Sequence, residues 1–144
     1  MKCLTVCQPY AHLIIRGDGR GLKRIENRTW PTRFRGRLAI HAGKSRAWLD
    51  REAVLPAGMV FGAIIGTVTV AGCFRLAHVR SGFYDAEFPG LSTHVHAEGP
   101  YCWVLTDPRP LPAPVPFKGM MGLFDVDDHA INLAAASCSI AGPA

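Results

Sequence analysis

One segment organises this chain: Gly21-Leu22-Lys23-Arg24-Ile25-Glu26-Asn27-Arg28-Thr29-Trp30. It holds a single carboxylate, Glu26, three residues after Lys23 and two before Arg28. If the segment is extended, Glu26 and Arg28 point to the same face, because side chains alternate along a strand. A carboxylate only accepts hydrogen bonds and a guanidinium only donates them, so such a pair can read the edge of a nucleobase or hold a phosphate.

The sequence around this segment is strongly basic. Residues 16–46 contain ten of the sixteen Lys and Arg residues but only two of the eleven acids, a local net charge of +8, whereas the remaining residues sum to −3. A local positive field favours an anionic partner, and nucleic acid is the commonest one. Several phosphate contacts would make binding fall steeply with salt.

Composition indicates a single globular domain. The chain has 144 residues, 49% hydrophobic and 19% charged, which is enough to bury a core. We expect a folded domain over residues 1–128, followed by a C-terminal helix and loose tail over 129–144. No signal peptide or membrane-length apolar run is visible, so a cytoplasmic protein without a membrane association is expected.

Cysteine usage points to a reducing compartment. The five cysteines are an odd number, and no Cys-x-x-Cys pair occurs. Buried free thiols are the simplest interpretation, although a catalytic cysteine paired with a histidine stays open. We expect no metal and no cofactor.

Hydrophobic patterning predicts a mixed fold. The N-terminal half is expected to contain strands at 3–7, 23–29 and 37–42, with short helices at 9–16 and 45–53. The β-branched and glycine-punctuated run at 60–76 predicts a long, bent barrel strand. Residues 78–98 look like a polar excursion from the core.

The C-terminal part is expected to add strands at 101–106 and 123–126, with a turn at 107–110 between the first of them and a proline-rich run that cannot be a central strand. A last helix over 130–136 and a loose tail at 141–144 complete the chain. The fold class is therefore α+β, a small bent sheet or barrel of five or six strands with two or three short helices.

Four motifs, in order, resemble the ASCH domain family of the PUA-like superfamily. The organising segment matches the signature G-x-K-x-x-E-x-R at each defined position. The other three matches are Gln8-Pro9-Tyr10 after the first strand, the strand at 36–43, and the closing strands at 101–105 and 118–126.

The resemblance implies a PUA-like β-barrel with a cleft lined by the signature strand. It also implies a nucleic-acid or nucleotide role, often with RNA, and some relatives are thought to be nucleases. A smaller branch hydrolyses N4-acylcytidine with a lysine, a threonine nucleophile and a glutamate. The lysine corresponds to Lys23, the threonine position holds Glu26, and Glu98 is a loose candidate for the third group.

Candidate site residues follow from the motifs and the charge. Lys23 and Glu26 are the candidate catalytic pair, because together they can polarise a substrate and activate water. Trp30 is either a core residue or a stacking platform, and His41 is either structural or a ligand contact. The full expected binding set is Gln8, Lys23, Glu26, Arg28, Trp30, Arg33, Arg35, Arg37, His41 and Lys44.

A second cluster, His94-x-His96-x-Glu98, places three metal-capable side chains on one face if it is extended. No fourth ligand is evident, and short His-x-His pairs are common in loops, so a metal site is not the favoured interpretation. Asp85 and Glu87 are read as a solvated acidic loop.

The leading hypothesis is a nucleic-acid-binding domain whose basic cleft accepts an RNA base or a nucleotide-like ligand. The alternatives are a hydrolase acting on RNA or on N4-acylated cytidine, and a sensor of a small nucleotide-like molecule. These alternatives differ in geometry. An enzyme needs Lys23 and Glu26 to converge in a closed pocket, whereas a binder of long RNA needs a groove continuous with the arginines.

Overall fold

Six strands form one curled sheet in the computed structural model, which describes residues 1–52 and 54–140, with side chains up to residue 136. The strands are β1 (Lys2–Val6), β2 (Ile25–Arg28), β3 (Gly36–Ala42), β4 (Ala63–Arg75), β5 (Tyr101–Pro116) and β6 (Leu123–Asp125). Their spatial order is β2-β5-β4-β3-β1-β6, and only the β1–β3 pair is parallel. The sheet is a half-barrel, which confirms the predicted α+β, PUA-like class.

The curl is concentrated in β4. Its pairing with β5 shifts register at three places, between Ile64 and Gly66, between Thr67 and Thr69, and between Val70 and Gly72. A Cβ atom at position 66 would lie 2.8 Å from the Arg109 carbonyl oxygen, so glycine is required there for the strands to approach. The prediction of a long, glycine-bent strand is confirmed.

Three helices accompany the sheet: α1 (Tyr10–Ile15), α2 (Leu76–Arg80) and α3 (Asp128–Ile140). Helix α1 buries Ala11, Ile14 and Ile15 in the main core cluster, which also contains the fully buried Trp103 of β5. Helix α3 packs its Ile131 against a smaller cluster next to β6. No helix in the described part of the chain is both long enough and apolar enough to cross a membrane.

The predicted helix at 45–53 is wrong. The structure has only one 3₁₀ turn, Leu49–Arg51, in this segment, and residue 53 lies outside the described residues. Ser45 does bond the Ala47 amide, but Ala47 and Trp48 are exposed. A short helix needs an apolar face to bury, because its own propensity does not sustain it in water.

The predicted turn at 107–110 is also wrong. Strand β5 continues through it, and Asp107 adopts φ 49° as a local kink. Prolines are tolerated beyond this point because β2 pairs only with Tyr101–Val104, which leaves the rest of β5 at the sheet edge. The expectation that the proline-rich run is not a central strand is therefore confirmed.

Residues 78–98 were predicted to leave the core as a polar segment, but several of them pack against the sheet. Val79, Phe88, Leu91 and Ala97 are buried against the outer side of β2 and β5, where they form a second small core. These apolar residues are spaced irregularly along the sequence, so periodicity does not predict that they are buried. The tail at 141–144 lies outside the described residues.

Candidate functional site

A cleft of about 550 Å³ opens between β2, the β1–α1 junction and two loops. This volume lies in the range of small-molecule sites. The lining residues are Val6, Cys7, Tyr10, Lys23, Glu26, Asn27, Arg28, Trp48, Arg51, Glu52, His96, Glu98 and Gly99.

The floor of the cleft is an ion-pair triad centred on Glu26. The Lys23 Nζ donates to Glu26 Oε1 at 2.9 Å, and the Arg28 Nη2 and Nε donate to Glu26 Oε2 at 2.8 and 3.2 Å. The side chains of Lys23 and Glu26 are only 4% and 9% exposed. The predicted placement of Glu26 and Arg28 on one face is confirmed, and Lys23 converges with them.

The triad keeps Glu26 ionised. Burial alone would raise its pKa, but the charges and hydrogen bonds of Lys23 and Arg28 outweigh burial and lower the pKa below its usual value. Glu26 is consequently a weak proton acceptor at neutral pH. Two cations and one anion leave the floor with a net charge of +1.

Backbone contacts hold the triad in place. Glu26 pairs with Trp103 in the β2–β5 ladder, so its backbone belongs to the sheet. The Lys23 amide donates to the Leu13 carbonyl at 2.9 Å, which ties the start of β2 to α1. The Lys23 Nζ also donates to the Ile25 carbonyl, and Arg28 Nη2 donates to the Thr5 carbonyl at 2.9 Å, across the open side of the half-barrel.

Aromatic rings form the walls. Tyr10 meets Trp48 edge to face with ring centroids 6.3 Å apart, and it meets His96 in the same way at 6.0 Å. The Lys23 Nζ lies 5.6 Å from the Tyr10 ring centroid, and the Arg51 guanidinium lies 4.1 Å from the Trp48 ring centroid. Flat walls above a polar floor suit a planar ligand.

Asn27 fixes the wall formed by residues 96–99. Its Nδ2 donates to the His96 carbonyl at 2.8 Å, and its Oδ1 accepts from the Glu98 and Gly99 amides at 3.0 and 2.7 Å. One side chain on the signature strand therefore satisfies three backbone groups of the opposite wall.

Two predicted ligand contacts do not line the cleft. Gln8 is fully buried, and its amide bridges the Val60 carbonyl at 2.8 Å and the His12 amide at 2.9 Å. His41 is 2% exposed and lies between the Thr5 hydroxyl and the Phe117 carbonyl. Both side chains use their polar atoms within the fold.

The remaining basic residues of the predicted set also lie outside the cleft. Arg37 binds Thr67, Thr69 and Asp107, while Arg33, Arg35 and Lys44 are exposed. Trp30 packs edge to face on Trp103 at 4.8 Å, which fits its core interpretation. The structure thus brings together Lys23, Glu26 and Arg28 but does not gather the arginines around them. A role for Arg33 and Arg35 in binding phosphate stays a prediction.

Of the thirteen residues that line the cleft, the predicted binding set contains only Lys23, Glu26 and Arg28. Tyr10 belongs to the Gln8-Pro9-Tyr10 motif, His96 is predicted only as a possible metal ligand, and Glu98 is predicted either as a metal ligand or as the third group of the hydrolase. Trp48, Arg51 and Glu52 come from the segment that was wrongly predicted as a helix over 45–53, which has only a 3₁₀ turn. No alternation rule predicts which loop folds over a strand.

The second predicted cluster is divided by the fold. His94 Nε2 accepts the Arg24 amide at 2.9 Å, whereas His96 and Glu98 face the cleft. Among the described residues, no three His, Cys, Asp or Glu side chains are arranged so that they could hold a metal ion. Four cysteines with described side chains are free; Cys3 and Cys102 are buried, and Cys7 and Cys73 are partly exposed. Asp85 is not simply solvated, because its carboxylate accepts from the Ser92 amide and hydroxyl.

Comparison with known proteins gives a consistent result. The ASCH domain model matches residues 4–114. Activating signal cointegrator 1 from Homo sapiens and its Mus musculus counterpart are each 26% identical over 139 residues, covering 87% of this chain. The chain spans 22% of the length of each of these curated relatives.

Solved structures agree on the fold. An ASCH protein from Zymomonas mobilis superposes with a TM-score of 0.54 at 14% identity, covering 94% of this chain and 93% of its own. A serine-to-alanine variant of that protein gives a TM-score of 0.53 at 14% identity, with 94% of both chains covered. At 14% identity, the likeness to these solved structures establishes the fold alone. The ASCH domain model matches most of the chain and therefore establishes the family. The chain belongs to the ASCH domain family.

Proposed function

We propose that this domain binds a single nucleobase in the cleft, presented either by RNA or by a nucleotide-like small molecule. The observation that carries the proposal is the Lys23–Glu26–Arg28 triad, with Lys23 and Glu26 buried, in the cleft that the Tyr10 and Trp48 rings also line. The floor offers charged hydrogen-bonding groups to the edge of a base, and the rings offer faces and edges to its plane.

The distribution of cations favours one base over a long strand. Of the ten basic residues in the window 16–46, only Lys23 and Arg28 line the cleft. A protein that follows an RNA backbone needs a continuous basic groove. The cleft, at about 550 Å³, instead falls in the size range of a small-molecule site.

The relatives support this proposal only in general terms. Family membership is consistent with a nucleic-acid or nucleotide role, and the name of the human relative describes an activating signal cointegrator. Because the matched region is a small part of that protein, its other activities are not carried over to this chain.

Calorimetric titration with the four ribonucleosides, their monophosphates and short oligoribonucleotides tests the proposal. We expect at least one ligand to bind, and Trp48→Ala to weaken it about tenfold, because a stacked base contributes about 1–3 kcal/mol. Trp48 is 38% exposed, so this substitution leaves the core intact.

Lys23→Met tests the floor, and Lys118→Met is its matched control. Lys118 is an exposed lysine on the β5–β6 connection and does not line the cleft. We expect the first variant to lose at least about tenfold in affinity and the control to bind like the parent. Absence of binding by every nucleoside and oligonucleotide would refute the proposal.

A hydrolase of acylated cytidine is the second candidate, because Lys23 and Glu98 line the same cleft. In this reaction water adds to the amide carbonyl and the C–N bond breaks, releasing cytidine and a carboxylic acid. Glu26 is a poor base for this step because its pKa is lowered. Chromatographic detection of cytidine released from N4-acetylcytidine tests it, with Lys23→Met expected to abolish the release.

A further inference from the structure

The charged residues of the cleft form two groups. The floor, where Lys23 and Glu26 are buried and the Arg28 side chain is 24% exposed, has a net charge of +1. Three other charged residues line the cleft: Arg51 and Glu98 are exposed, and the Glu52 side chain is 17% exposed. We call Arg51, Glu52 and Glu98 the rim.

The rim is acidic. Glu52 shares the Arg20 guanidinium, at 3.3 Å, with Asp18, at 3.2 Å, so that cation is already matched by two carboxylates. Counting Asp18, Arg20 and the three rim residues, the mouth of the cleft has a net charge of −1. His96 adds no cation at neutral pH, because burial, followed by the charge of Lys23, lowers its pKa.

The fields of the rim carboxylates reach the ligand space. Burial raises the pKa of Tyr10, and the charges of Glu52 and then Glu98 raise it further. Both carboxylates also oppose the lowering of the His96 pKa. Tyr10 and His96 are in edge-to-face contact on the wall of the cleft, so a ligand beside them lies within reach of both carboxylates.

Resting on the proposed function, we propose that the cleft selects an uncharged nucleoside and that Glu52 and Glu98 are specificity determinants that weaken the binding of its 5′-phosphate. The base points a carbonyl group toward Lys23 and Arg28 on the floor. The sugar then lies at the mouth, where its hydroxyl groups donate to the rim carboxylates. A phosphate at the same place meets two carboxylates and only one rim cation, Arg51.

Like-charge repulsion is large enough to decide between the two ligands. Two like charges a few ångströms apart near a protein surface repel each other, and the repulsion falls with distance and salt. We expect this repulsion to give about a tenfold difference in affinity between a nucleoside and its 5′-phosphate. Rejecting one ligand by an unfavourable charge contact is a general route to specificity.

The test compares each ribonucleoside with its 5′-monophosphate by calorimetry at low salt. The parent protein is expected to bind the nucleoside at least about tenfold more tightly. Glu52→Gln and Glu98→Gln, made separately, are each expected to reduce this preference by removing one negative charge while keeping a hydrogen-bond acceptor. Glu87→Gln, an exposed glutamate outside the cleft, should leave the preference unchanged.

The outcomes separate this inference from the function it refines. A monophosphate that binds as tightly as its nucleoside, or more tightly, overturns the selectivity but preserves nucleobase binding. A preference that is unaltered in both rim variants shows that Glu52 and Glu98 do not set it, which also overturns the inference. Binding of neither ligand class overturns the proposed function itself. Melting temperatures establish that each variant is folded.

Discussion

At the residue scale, the signature places two cationic side chains, Lys23 and Arg28, on one buried carboxylate, Glu26. Alternation along β2 predicted that Glu26 and Arg28 share a face, and the structure confirms it. Alternation could not predict that Lys23, which precedes the strand, turns back to the same carboxylate. That contact depends on the bond between the Lys23 amide and α1, a tertiary feature without a local signal.

Glu26→Gln is expected to destabilise the domain by about 3 kcal/mol, since removing one partner leaves buried cations without a counter-charge. The new amide NH₂ would also face donors on Lys23 or Arg28. Urea unfolding at neutral pH measures the change, and Glu87→Gln, on the exposed surface, should stay within about 0.5 kcal/mol of the parent. In a double-mutant cycle that combines Glu26→Gln with Lys23→Met, a coupling energy near zero would contradict a stabilising Lys23–Glu26 pair.

His94 makes stability depend on pH. Burial, together with the charges of His96, Arg24 and Lys23, lowers its pKa from 6.5 to about 4, and its Nε2 accepts the Arg24 amide only when unprotonated. Between these two values the unfolded chain binds more protons than the folded one. The contribution of neutral His94 to the stability of the fold is therefore complete above pH 6.5 and is lost as the pH falls toward 4.

We expect His94→Gln, whose amide oxygen can accept the same bond without titrating, to reduce the loss of stability across this range. Urea unfolding at several pH values compares the two proteins. Parallel decline of both free energies of unfolding would show that His94 is not the responsible group.

At the element scale, strands were predicted better than loops. The β-branched residues and glycines at 60–76 predicted β4, because this signal lies within the strand's own sequence and does not depend on distant contacts. The helix expected at 45–53 failed because its formation depended on burial that the fold does not provide. The wall at 96–99 could not be predicted, since it is attached to β2 by Asn27, some seventy positions away.

Asn27→Ala should detach this wall. Three backbone groups lose their partner, and we expect destabilisation of about 2–3 kcal/mol with faster amide exchange confined to residues 94–99. Hydrogen-exchange mass spectrometry locates the effect. Thr29→Ala, an exposed site just past β2, is the control. Faster exchange throughout β3 and β4 would indicate global destabilisation and would contradict a local role for Asn27.

At the scale of the whole molecule, charges that are close in sequence are distant in space. The basic window covers β2 and β3, which are separated by β5 and β4 in the sheet. Several of its cations are also committed: Arg20 binds Asp18 and Glu52, and Arg37 binds Asp107. A net charge counted along the sequence therefore predicted a partner class but not a continuous binding face.

Because the basic residues are separated in space, we predict that the affinity for RNA depends only weakly on salt concentration. If one base enters the cleft and few phosphates are contacted, log affinity should fall against log salt with a slope of about −1 rather than several units, since each phosphate contact on a single strand contributes about −0.7. Fluorescence anisotropy with a labelled oligoribonucleotide over a series of potassium chloride concentrations measures the slope. Replacing both exposed loop arginines, Arg33→Gln with Arg35→Gln, should leave it unchanged. A steep slope that flattens in this double variant would instead establish that the arginine loop follows the RNA backbone, and the single-base interpretation would be wrong.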